Sequence, residues 1–211
     1  MKPKILLFIF VASFSAFGKE PPDVIKLVIR FKPGDLSQNS PPAKPKTLYL
    51  AGPRYARIEQ ETDATSDAPD LIIVNEPDIW TINRAAKVGN HSINPGPDFS
   101  VHNPVLGPDC PDNLFDFEFG REVDFMERVK AQSLESKEIG SRKCKTMQFE
   151  IKPYRILLFL DATSNSPVQL QVFEDDRIKF TVDYLSYEKN VPFDPALFQP
   201  AKDVTLTEAH N

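Results

Sequence analysis

From Val168 to Pro200 the chain reads VQLQVFEDDRIKFTVDYLSYEKNVPFDPALFQP, apolar and polar residues alternating on either side of a polar corner. Ile178, Phe180, Val182 and Tyr184 fall on one side of the later run, and Lys179, Thr181 and Asp183 on the other. In the earlier run Val168, Leu170 and Val172 oppose Gln169 and Gln171. A period of two with one wet face predicts antiparallel strands whose apolar side is covered. KTMQFEI and YRILLFLDA precede them, linked by short turns at 163–167 and 174–177, so the C-terminal half reads as a meander. YRILLFLDA is apolar on both sides, Ile156, Leu158 and Leu160 against Leu157 and Phe159, which predicts cover on both faces.

Upstream, DVIKLVIRF reads as a first strand, and TLYLAGPRYARIEQET as two strands around Ala51-Gly52-Pro53. DLIIVNEPDIWTINRAAKVGNHSI is another hairpin, turning at 75–78. KPGDLSQNSPPAKPK and residues 94–112 are too rich in proline to be anything but loop. One helix is predicted, in DNLFDFEFGREVDFMERVKAQ, capped by Asp112 or Asn113. There Phe115, Phe119, Val123, Met126 and Val129 recur at three- and four-residue steps over the span 114–129. Gly120 weakens its middle by about 1 kcal/mol relative to Ala. The expected fold is mainly β (α+β), a strongly curved antiparallel sheet or incomplete barrel with the helix packed on its concave side.

The first residues, MKPKILLFIFVASFSAFGKE, join a short basic region to an apolar run and a small-residue site. That is the layout of a signal peptide, too short for a membrane span, with the cut expected after Gly18. Residues 19–211 then form a single exported domain. Twenty prolines against eight glycines suit a loop-punctuated β protein. With 25 basic and 30 acidic residues the net charge is −5, which disfavours nucleic acid as a partner. Export would put Cys110 and Cys144 in an oxidising compartment, where they are most simply a disulfide and alternatively two buried thiols.

Candidate chemistry is sparse. His91, His102 and His210 show no metal-ligand spacing and read as surface or loop residues, and neither a phosphate loop nor a G-x-S-x-G elbow occurs. Glu118 and Glu122 lie one helical turn apart, but with Arg121 and Lys130 they read as a solvated helix face. The residues therefore point away from catalysis, cofactors and metals. The sixteen phenylalanines, dense in the helix and last strands, exceed what a simple core needs and suggest a cavity for an apolar ligand.

The stretch LLFLDATSNSPVQLQVFEDDRIKFTVDYLSYEKNVPFDPALFQPAKDVTL resembles the C-terminal half of the lipoprotein carrier (LolA-like) superfamily. The resemblance rests on a turn carrying Asp161, Thr163 and Pro167, and on a D-x-x-x-F-x-P tail formed by Asp194, Phe198 and Pro200. GPRYARIEQ is similar to the family's early strand, with Arg57 at the position of its recurrent arginine, and LIIVNEPDIWTIN to its tryptophan hairpin. The chain departs from the carriers in starting with a strand at Val24 and in its centre, with the cysteine pair and the FDFEFGREVDFMERV helix. The resemblance implies a half-barrel enclosing an apolar cavity, with Arg57, Trp80, Phe115, Phe119, Leu158, Phe180 and Tyr184 as candidate ligand-binding residues. It further implies a periplasmic, non-enzymatic protein that binds a lipid or lipidated protein in envelope lipoprotein transport or sorting. The alternative is an interaction or regulatory module whose cavity is plugged by its own helix.

Overall fold

The computed structural model describes residues 22–34, 44–61, 68–107 and 110–208. The expected signal peptide and His210 lie outside them, as does most of the proline-rich loop after the first strand. A first meander comprises β1 (Val24–Pro33), β2 (Lys46–Ala51), β3 (Tyr55–Gln60), β4 (Leu71–Asn75), β5 (Asp78–Asn83) and β6 (Val88–Ile93). A second comprises β7 (Gln132–Ile139), β8 (Arg142–Ile151), β9 (Tyr154–Asp161), β10 (Pro167–Glu174) and β11 (Arg177–Val191). Antiparallel pairing of β1 with β11, in the register Leu27↔Tyr187 and Phe31↔Val182, fuses them into one curved sheet. The order is β12-β6-β5-β4-β3-β2-β1-β11-β10-β9-β8-β7, where β12 (Thr205–Glu208) runs parallel to β6. The sheet does not close on itself, as expected of an open half-barrel.

Local chemistry accounts for the turns. Asp175 and Asp176 have φ of 48° and 63° between β10 and β11, the pair of positive values that a two-residue hairpin corner uses. Asp161 at the end of β9 accepts hydrogen bonds from the backbone N–H groups of Thr163 and Ser164. Those bonds hold its carboxyl below the usual range and shape the turn into β10.

Each face of the sheet has its own cover. Leu27, Ile29, Leu48, Ile156, Leu158 and Leu170 face one way and cluster with Leu114, Phe117, Phe125 and Met126 from the segment 101–131. On the other face Ile73, Trp80 and Ile82 cluster with Phe198 from the C-terminal tail. Residues 156–160 of β9 are buried without interruption, matching their two-sided apolar pattern.

The long helix is corrected. Only Glu122–Arg128 forms an α-helix (α1), preceded by a single 3-10 turn over Asp112–Leu114. Gly120 takes φ +84°, a left-handed conformation that ends any helix running through it. Residues 117–119 are pinned instead to the loop before them, Val105 N–H donating to Phe117 O at 2.8 Å and Phe119 N–H to Asn103 O at 3.0 Å. The disulfide is also corrected, since no bond joins Cys110 and Cys144. Cys144 is buried with Leu157, Phe159 and Val168 on one face, while the segment carrying Cys110 covers the opposite face.

Candidate functional site

Where the 101–131 segment meets β1–β3 it leaves a cleft of about 340 Å³. Ile29 and Phe31 from β1, Leu48 from β2 and Ile58 from β3 form its floor, since these positions share one face of adjacent strands. Phe115 and Phe119 wall it from above, and Phe31 meets Phe119 edge to face at 5.9 Å. The polar groups are few: Lys46, Asn103 and His102. Nδ1 of His102 lies 2.7 Å from Glu118 Oε1, and its ring packs on Phe115 at 4.8 Å. A small, mainly apolar hollow with a few placed polar groups is the usual form of a ligand site, and this volume lies toward the low end of the ~300–1,000 Å³ range.

The expected lining residues separate on the structure. Phe115 and Phe119 line the cleft, and Phe180 stands next to it, 5.6 Å from Phe31. Leu158 is fully buried in the main core, away from the cleft. Arg57 and Trp80 lie on the opposite face. Arg57 Nη1 donates to the Leu197 carbonyl at 3.0 Å and so ties the C-terminal tail to β3. Trp80 stacks on His91 at 5.3 Å. His91 is far from being a free loop residue: Nε2 lies 2.8 Å from Asp78 and Nδ1 3.0 Å from Glu208. Those carboxylates, Glu208 foremost, raise its pKa.

Tyr184 belongs to a buried polar group that reverses the expectation for Glu118 and Glu122. Neither carboxylate is on a solvated face. Glu118 is buried between His102 and Arg121, whereas Glu122 is 0% exposed. Tyr184 donates to Glu122 Oε1 at 2.5 Å and the Gly120 N–H donates to the same oxygen at 3.0 Å, leaving Oε2 without a partner. Burial pushes the Glu122 carboxyl up to about 7, and the Tyr184 hydroxyl well above its ordinary value. The Tyr187 hydroxyl donates to Gly120 O at 3.2 Å, so two tyrosines of β11 hold the turn that starts α1.

Sequence reading missed Ile29, Phe31, Lys46, Leu48, Ile58 and His102. The strand residues carried a signal, their period-two apolar positions, but nothing in it tells which stretch of the face stays open. A larger hollow of about 650 Å³ lies under the tail on the other face, lined by Arg57, Arg84, Lys87 and Lys202 among others. Arg57, Arg84 and Lys87 are paired there with Glu59, Asp70 and Asp203. Leu71, Ile82, Leu197 and Val204 also line it, and of these ion pairs Lys87–Asp203 is the one that reaches the tail.

No family model and no curated protein matches the chain. Solved structures do. An uncharacterised conserved protein from Thermus thermophilus is 8% identical, with a TM-score of 0.51 over 88% of this chain and 90% of that one. The MucA/MucB complex of Pseudomonas aeruginosa gives 10% identity and a TM-score of 0.42 over 88% of this chain and 58% of that one. A LolA superfamily protein from Nitrosomonas europaea gives 9% identity and a TM-score of 0.32 over 87% and 91%. At such identities the likeness is one of fold alone, and of these three the Thermus protein is the one whose TM-score exceeds 0.5.

Proposed function

We propose that the protein is an exported, non-enzymatic binding protein for a hydrophobic ligand, a lipid or the acyl part of a lipidated protein, acting in the periplasm. In this reading the sheet is a LolA-like half-barrel and the 101–131 segment, with α1, occupies its concave side. The observation that carries it is the apolar cleft of about 340 Å³ between β1–β3 and that segment. A further feature supports it. The C-terminal tail resembles the family's, and here Asp194 caps its 3-10 turn while Phe198 is buried against the sheet. Native mass spectrometry of protein purified from its own envelope tests the proposal. A bound lipid mass is expected, and its repeated absence would overturn the reading.

A second reading, an interaction module plugged by its own segment, is favoured by the full burial of Leu114, Phe117 and Met126 in the main core. Phe119→Ala separates the two. A loss of about 3 kcal/mol or more of stability indicates a plugged core. Little lost stability with weaker binding of a fluorescent fatty acid indicates a pocket.

A further inference from the structure

Lys46 is the first residue of β2 and stands half-buried at the rim of the cleft. Its ammonium lies 5.7 Å from the centroid of the Phe31 ring, which forms part of the floor. Among the described residues no carboxylate forms an ion pair with it, whereas the β1 lysines Lys26 and Lys32 each have one, Glu188 and Asp183. The other basic group of the cleft, His102, is matched by Glu118. Among the described residues, one positive charge at the edge of a mainly apolar hollow thus has no carboxylate beside it. A neutral ligand would leave that charge without a partner, and an anionic head would supply one.

We infer that the cleft takes a single-chain amphiphile with an anionic head, the head set against Lys46 and the chain along Phe31, Leu48, Ile58, Phe115 and Phe119. The inference rests on the hydrophobic-ligand reading above and adds to it the charge of the head and the number of chains. The size suits one chain: at about 340 Å³ the cleft lies toward the small end of the ~300–1,000 Å³ range of ligand sites.

Calorimetric titration of the exported protein with decanoate and with 1-decanol tests it, because the two share a chain and differ in charge. Wild-type protein is expected to bind decanoate about tenfold or more tightly than decanol, the worth of one charge-assisted hydrogen bond. Lys46→Met should remove that preference by weakening decanoate alone, and Lys46→Arg should keep it. Equal affinity of wild-type protein for both probes, or an unchanged ratio in Lys46→Met, overturns the head-group inference while leaving the hydrophobic-ligand reading standing. Binding of neither probe overturns both. Decanol binding serves as the measure that the Met variant is folded, and the Arg variant decides the matter if the Met variant is not.

Discussion

Replacing Glu122 with Gln is expected to stabilise the protein above neutral pH and to leave its stability unchanged in mild acid. The carboxyl is fully buried and titrates at about 7, against 4.5 as its ordinary value. Burial is the dominant cause, and the hydrogen bonds from Tyr184 and Gly120, with the more distant Lys189, only partly offset it. The unfolded chain therefore releases this proton first as pH rises. Glu122 costs nothing below about pH 4.5, stability falls as pH rises from there through about 7, and the loss is complete above that. At about 1.4 kcal/mol per pH unit the full loss is about 3 kcal/mol. Gln offers the same acceptor oxygen to Tyr184 and Gly120, and its amide NH₂ stands where the neutral acid carries its proton on Oε2. The variant thus resembles the protonated state at every pH. Urea unfolding followed by circular dichroism at about pH 4.5 and about pH 8.5 measures the difference. The two proteins should coincide at the lower pH, with the variant ahead by about 3 kcal/mol at the higher. An equal offset at both values, or a variant no more stable than wild type in alkali, would refute the assignment of this cost to a buried, unpaired charge.

Phe117→Ala should cost about 3–5 kcal/mol in the same assay, since the ring is 0% exposed and its removal leaves a cavity between the covering segment and the sheet. His91 binds β12 to β6 through Glu208, and its raised pKa means that this contribution is fully present below about 6.5 and lost as pH rises through the folded value. Amides 205–208, corrected for the intrinsic pH dependence of exchange, should lose protection over that window, and in His91→Gln the protection should stop varying with pH. The Cys144 thiol, buried beside Leu157 and Phe159 and pushed up by that burial, should react with Ellman's reagent only as the protein unfolds. Fast labelling of Cys144 in native protein would contradict its placement.

The meanders were legible in the chain because a strand's burial pattern repeats every two residues, and this repeat survives whatever covers it. Phe180, Val182 and Tyr184, the two-sided run 156–160 and the hairpin at 75–78 needed no tertiary information, whereas register shifts in β10 and β11 turn Val168 and Ile178 to the face opposite the one their alternation predicts. The D-x-x-x-F-x-P tail was equally readable, since Asp194 acts through a local cap and Phe198 through its own burial. The 114–129 segment was not. Its phenylalanines fit a helical stripe, yet Phe115, Phe117 and Phe119 also alternate, and the choice between the two periods fell to bonds with Asn103 and Val105 in the loop before them. The fate of Glu122 was hidden for the same reason: a carboxylate in the first turn of a helix looks solvated until Tyr184 and Tyr187 of β11 close over it. Sequence by itself determined which residues are strands and, away from the bulges at Val168 and Ile178, which side of each is apolar, because that is fixed by neighbours within a few positions. Only the tertiary structure decided which apolar positions meet another segment and which, at Phe31, Leu48 and Ile58, are left facing an open cleft. That depends on contacts between parts of the chain that no local pattern links.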